Sequence, residues 1–145
     1  MGVDVQVQTV IDRPRELVAA YAGDPSNAPE WYVNIRSVLW QTDPPVQVGS
    51  RMDFVAQFLG RRIAYTYEVA ELVPGERLVM RTADGPFPME TTYTWDEAGA
   101  GTRMTLTNRG EPSGFARLTA PMMETAMRRA TTKDLARLKQ ILEAR

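Results

Sequence analysis

Val3, Val5, Val7 and Ile11 alternate with Asp4, Gln6, Gln8 and Asp12, the two-residue period of a strand that buries one face. Arg13-Pro14 ends that run and predicts a helix through about Ala22, with Asp12 or Arg13 near its cap and Pro14 in its first turn. Gly23-Asp24-Pro25 repeats the device, Asp24 capping and Pro25 opening a second short helix that reaches Trp31 or Tyr32. Neither helix is long enough to be stable alone, so both must dock on a sheet. Further alternating runs follow at 35–42, 51–58, 62–72, 77–82, 88–95 and 102–109. Turn signals separate them: Pro44-Pro45 with Gly49, Leu59-Gly60-Arg61, Pro74-Gly75-Glu76, Asp84-Gly85-Pro86 and Gly99-Ala100-Gly101. Short turns between alternating runs predict an antiparallel meander.

The period changes again from Ser113, where Phe115, Leu118, Met122, Ala126, Ala130, Leu138 and Leu142 recur mostly at helical spacing. A helix of roughly 30 residues spans about 45 Å, whereas strands of roughly 8 to 10 residues reach about 30 Å. The helix therefore crosses the whole sheet. Pro121 lacks an amide proton and its ring crowds the carbonyl of Arg117. The expectation is a short segment over 113–120, a bend, and a main helix to about Glu143. The fold class is α+β, in the order β-α-α-β6-α: a curved antiparallel sheet of about seven strands wrapped around a long C-terminal helix kinked near Pro121. One domain over 1–145 accounts for the whole chain.

Composition narrows the chemistry. The 145 residues are 43% hydrophobic and 24% charged with a net charge of −1, ordinary for a globular chain and without the field that attracts nucleic acid. The last helix carries Arg117, Arg128, Arg129, Lys133, Arg137 and Lys139, diluted by Glu124, Asp134 and Glu143, which reads as a solvated outer face. There is no cysteine and no histidine, so thiolate chemistry, zinc–sulfur sites and the commonest general base are excluded. No metal site and no cofactor are expected. Gly60-Arg61-Arg62 is a basic hairpin tip rather than a phosphate loop, because no helix follows it. No run is long enough to span a membrane, and the N-terminus opens on alternation rather than on a leader pattern. The expected location is cytoplasmic.

The order of elements, with the residues that mark it, resembles the START-like superfamily, also called SRPBCC or helix-grip, in its polyketide cyclase/dehydrase-like branch. The marking stretches are Val10-Ile11-Asp12-Arg13-Pro14, Pro29-Glu30-Trp31-Tyr32, Val48-Gly49-Ser50, Tyr67-Glu68-Val69 and Pro74-Gly75-Glu76-Arg77. Gly101-Thr102-Arg103-Met104 and Asp134-Leu135-Ala136-Arg137-Leu138-Lys139 complete them. The resemblance implies a helix-grip fold. It does not imply one function, since such relatives include lipid carriers, hormone receptors, ring-closing enzymes and co-chaperones. It carries no catalytic residue over to this chain.

Alternation assigns inward faces strand by strand. Met52, Phe54, Ala56 and Phe58 form one set, Ile63, Tyr65, Tyr67 and Val69 the next, then Leu78, Met80 and Thr82. Met89, Thr91, Tyr93 and Trp95 follow, and Met104, Leu106 and Asn108 close the series. At Val38 and Trp40 both faces are apolar and the register is open. A binding cavity on this plan is lined by Trp31, Phe54, Tyr65, Tyr67, Met80, Phe87, Met89, Tyr93, Met104, Asn108, Phe115, Leu118, Met122 and Met123. The phenols offer an apolar body with one polar tip, and the methionines a wall that moulds to a ligand. The same residues also serve as ordinary strand and core residues. Trp31, with Tyr32 beside it, reads either as a plug between the short helices and the sheet, or one of the two stands at the cavity's end. Phe87 and Phe115 sit in Gly/Pro-rich junctions able to close over a ligand.

Three functions are compatible with this reading. The first is binding of a small hydrophobic or aromatic, polyketide- or lipid-like molecule between the sheet and the last helix. The second is a polyketide cyclase/dehydratase-like enzyme whose cavity tyrosines polarise a carbonyl. Asp84, Glu90, Glu68 and Arg81, with Asn108, are its acid/base candidates, though alternation turns Glu68, Arg81 and Glu90 outward. The third is a protein-interaction module with Trp40, Leu59 and Val79 as its exposed apolar patch. A homodimer through the sheet edge or the short helices is compatible with all three.

Overall fold

The computed structural model describes residues 2–111 and 120–145. Strand β1 (Val3–Ile11) is followed by helix α1 (Arg15–Ala22), a 3₁₀ turn (Pro25–Asn27) and the one-turn helix α2 (Ala28–Trp31). Then come β2 (Ile35–Trp40), β3 (Arg51–Phe58), β4 (Arg61–Val73), β5 (Arg77–Asp84), β6 (Met89–Ala98), β7 (Gly101–Gly110) and the long helix α3 (Ala120–Glu143). The strands form one curled antiparallel sheet in the order β1-β7-β6-β5-β4-β3-β2, the helix-grip arrangement. Pro14 stands at the N-cap of α1 rather than in its first turn. Asp24 caps as expected, its carboxylate accepting the Ser26 amide at 3.0 Å. Pro121 is the second residue of the described α3. The expected bend before it lies outside the described residues, with Phe115 and Leu118.

Two irregularities decide which side chains face inward. On β2 the register shifts between Ile35 and Ser37, so Ile35 is buried while Val38 and Trp40 also turn toward the core and Leu39 is exposed. On β4, Val69 pairs with Met80 and Glu71 with Val79, leaving Ala70 as an extra residue. That bulge changes the inward parity from Tyr67 and Val69 to Leu72. Trp40 is therefore half-buried against the core, and its indole Nε1 donates to Ser26 Oγ at 2.9 Å. Val79 points outward yet is only 1% exposed, since the Arg77–Glu71 and Arg81–Glu90 pairs flank it on the convex face. Of the three expected patch residues only Leu59 is exposed. The expected apolar interaction patch does not form.

The convex face is marked by cross-strand ion pairs, Arg51–Glu68 and Arg81–Glu90 at 2.7 Å and Asp4–Arg109 at 3.4 Å. Exposed pairs of this kind stabilise by at most about 1 kcal/mol each, so the weight of the fold rests on the concave side. There Leu135, Leu138 and Leu142 of α3 join Ile11, Val18, Trp31, Met52, Leu78, Trp95, Met104 and Leu106 in one core. Helix α3 also guards the open edge of β1. Arg128 Nη1 donates to Gln6 O at 3.2 Å and Lys139 Nζ to Val10 O at 2.6 Å, satisfying carbonyls that β7 does not reach.

The β3–β4 hairpin turns on Leu59 and Gly60, both at positive φ, 52° and 75°. This is the backbone of a two-residue hairpin that glycine and asparagine tolerate and leucine does not. Leu59 gains nothing from burial in return, being 63% exposed. Leu59→Asn is expected to stabilise the protein by roughly 0.5–1 kcal/mol, read as a higher urea midpoint with an unchanged slope. A lower midpoint would mean that the exposed leucine makes a contact outweighing its backbone strain.

Candidate functional site

Curling of the sheet leaves a cavity of ≈ 160 Å³ between β3–β7, the 24–35 region and the first half of α3. Phe54, Tyr65, Tyr67, Met80, Phe87, Met89, Tyr93, Asn108 and Met123 line it, because each lies on the inward parity of its strand, in the β5–β6 connection, or on the sheet-facing side of α3. Trp31, Met104 and Met122 do not line it. Trp31 is fully buried beneath it, against the rings of Tyr32 and Tyr93 at 4.2 and 5.8 Å, and is the plug between α2 and the sheet. Met104 is also fully buried, in the core next to Trp95 on the paired strand. Met122 is 75% exposed, because one position separates it from Met123 and a helix turns about 100° per residue.

The cavity's wall is mostly aromatic. Phe54 stacks on Tyr65 with centroids 5.5 Å apart, and Tyr67 meets Tyr65 edge-on at 5.0 Å. The polar groups divide into two sets. In the first, Tyr67 Oη bonds Thr91 Oγ1 at 2.8 Å, Thr91 Oγ1 donates to Asn108 Oδ1 at 2.7 Å, and Asn108 Nδ2 donates to Thr131 Oγ1 at 3.5 Å. Thr91 has one proton and Asn108 receives it, so Tyr67 must be the donor to Thr91. In the second set, Tyr32 and Tyr93 bond hydroxyl to hydroxyl, which uses one of their two protons and leaves one O–H available. Asp134, 4% exposed, belongs to this set, its Oδ1 accepting the Val33 amide at 2.8 Å.

Titration behaviour separates the groups. Burial pushes the phenols of Tyr32, Tyr65 and Tyr93 well above the ordinary range, and that of Tyr67 up to about 12. All four stay protonated near neutrality, so they can orient a ligand or polarise a carbonyl but none is a base. Asp134 differs. Burial raises its carboxyl from 3.8 to about 7, against the opposing pull of the Val33 amide and Arg137. Among the described residues, Asp134 makes no ion pair, the lining contains no arginine or lysine, and no cluster suited to a metal ion is found.

Asp134 and Thr131 are absent from the sequence-derived site residues, while Tyr32 and Met127 do line the cavity. Asp134 was expected on a solvated outer face; the structure buries it. A signal for it exists: the spacing Ala126, Ala130, Leu138, Leu142 leaves out the position four residues before Leu138, and Asp134 occupies it. A carboxylate within an apolar stripe is buried whenever the stripe is. The acid/base candidates from the strands are elsewhere: Glu68 and Glu90 pair with arginines on the convex face.

A sequence model for the family described as polyketide cyclase/dehydrase and lipid transport matches residues 2–143. No curated protein matches the chain. Among solved structures, a Thermus thermophilus protein is similar at 22% identity and a TM-score of 0.83, over 94% of both chains. The Zhui aromatase/cyclase of Streptomyces sp. R1128 superposes with a TM-score of 0.84 at 15% identity, over 99% of this chain and 94% of that one. Major latex-like protein 151 of Panax ginseng gives 0.71 at 14% identity, over 99% and 96%. At these identities the likeness is one of fold.

Proposed function

Since the chain belongs to the polyketide cyclase/dehydrase and lipid transport family, we propose that it binds a small aromatic or hydrophobic molecule in the cavity between the sheet and α3. The observation that carries this reading is an apolar, ring-lined space of ≈ 160 Å³ onto which only a few polar groups converge. Size restricts the cargo. A dry cavity of about 150 Å³ in another protein takes up benzene, so one aromatic ring with a short substituent matches the described space. Phe54, Tyr65, Tyr67, Met80 and Tyr93 form the wall in this reading, Met89 and Asn108 line it from β6 and β7, and Phe87 and Met123 lie on the β5–β6 connection and α3. Phe115 and Leu118 stay candidates from the sequence alone. Among the described residues no helix is long and apolar enough to cross a membrane.

Native mass spectrometry of gently purified protein, with displacement of a fluorescent hydrophobic probe, tests this reading. Ala130→Phe adds a ring to the cavity wall and is expected to weaken probe binding by more than about tenfold, or 1.4 kcal/mol, with the circular dichroism unchanged. Equal probe affinity in a folded Ala130→Phe variant would refute it.

A second reading is favoured by Asp134 in particular. A carboxyl that titrates near neutrality beside neutral phenols is an acid/base pair of the kind a cyclase or dehydratase needs, the phenols holding a carbonyl while Asp134 moves a proton. Turnover of a ring-closing substrate that survives Asp134→Asn would remove this reading and leave the binding one intact.

A further inference from the structure

Resting on the reading of the cavity as a ligand site, we propose that its preferred ligand class is the small aromatic amine, with the ammonium group seated on Asp134 and the ring among the tyrosines. The argument begins with charge. Asp134 is 4% exposed and takes a single backbone amide, Val33 N–H, as its partner. Arg137 acts on it from outside the cavity lining, but among the described residues Asp134 makes no ion pair, and the lining offers neither arginine nor lysine. A fatty acid, a phosphate or another anion would meet a like charge there and no counter-charge, so acidic lipids are a poor match. A cationic ligand completes the ionised site electrically, taking the place of the proton that the buried carboxyl otherwise holds.

Ring geometry points the same way. Tyr32, Tyr65 and Tyr93 line the same cavity as Asp134. Their ring faces attract a cation through the aromatic quadrupole, as aromatic cages do for ammonium ligands. Their hydroxyls add acceptors, since the Tyr32–Tyr93 bond leaves unused lone pairs and Tyr65 makes no hydrogen bond among the described residues. An ammonium carries three donors and would thus meet a carboxylate and phenol oxygens. In the same cavity Tyr67 donates to Thr91 and presents only an acceptor, which suits a hydroxyl on the ligand's ring.

Benzylamine, benzyl alcohol and benzoate share one ring and differ in charge, so their affinities for the intact protein separate the terms. By calorimetry or ligand-observed NMR at pH 8, benzylamine is expected to bind about tenfold more tightly than benzyl alcohol, and benzoate more weakly than either. In Asp134→Asn the amine-to-alcohol ratio is expected to fall to about one while alcohol binding persists. In the wild-type protein at pH 6, below the value of about 7 to which burial lifts Asp134, the Asp134 carboxyl ¹³C resonance should move toward the ionised position with benzylamine and not with benzyl alcohol. Equal affinities for amine and alcohol, or a still carboxyl resonance, overturn amine selection but leave the cavity reading standing. Failure of all three to bind, with no displacement of a neutral hydrophobic probe, overturns the cavity reading and the amine proposal together.

Discussion

Leu138→Ala is expected to lower the stability of the protein by about 3–5 kcal/mol, the upper part of the range for a fully buried leucine. Leu138 is 0% exposed and sits between Leu135 and Leu142 on the one line of α3 that enters the core. The helix's ties to the edge of β1, Arg128 to Gln6 O and Lys139 to Val10 O, are solvent-exposed and contribute little. Its first half lines the cavity through Met123, Met127 and Ala130, with the two methionines also packed on the small Val3–Val5 cluster. The core that Leu138 joins is built mainly of Trp31 and sheet residues, which cannot collapse onto a new void without moving strands, so the cavity term persists. At about 2–4 °C per kcal/mol for a chain of this size, the melting temperature should fall by about 10 °C. Met122→Ala, at a position 75% exposed, is the contrasting control and should move it by less than about 1 kcal/mol. A small loss at Leu138, similar to that at Met122, would mean that α3 is held by something other than its leucine line.

The order of elements was legible in the chain because alternation, turn dipeptides and the change to helical spacing are local signals. The β3 boundaries 51–58 were read as they stand, and the other strands differ from the structure at their ends. What could not be read is where parity changes. The extra residues near Arg36 and at Ala70 are ordinary strand residues whose bulges exist only relative to a partner strand. Those bulges put Val38, Trp40 and Leu72 on the core side. Burial of Val79 under flanking ion pairs is likewise a property of the sheet, not of β5. For the cavity, strand residues came out of alternation well, since Phe54, Tyr65, Tyr67, Met80, Met89, Tyr93 and Asn108 all line it. The helix contributed the errors. Methionine type suggested Met122, which helical rotation turns away, and charge type hid Asp134, which rotation turns in.

Asp134→Asn is expected to raise stability at pH 8 by about 1–3 kcal/mol and to flatten its dependence on pH. Unfolded, the carboxyl titrates near 3.8; folded, burial lifts it to about 7. Between these values the folded chain holds a proton that the unfolded chain has lost. Raising the pH through that window therefore favours unfolding, and the native state loses on the order of 4 kcal/mol between about pH 4 and pH 7. Above pH 7 both states are ionised and the loss is complete and constant. Asparagine keeps an oxygen for the Val33 amide and removes the charge, so the gain should appear at pH 8 and shrink steadily toward pH 5. Glu143 acts in the opposite sense at lower pH, its carboxyl held down first by Lys139 and then by the Asp12 amide. Urea titrations of wild type and variant at pH 5, 6.5 and 8 isolate the Asp134 contribution, and parallel pH profiles would show that another group carries it. The same substitution should abolish preference for benzylamine over benzyl alcohol. Stability gained and selectivity lost at one side chain is what a functional carboxylate in an apolar cavity entails, because the desolvation that makes it costly unoccupied also makes its attraction for a cation strong.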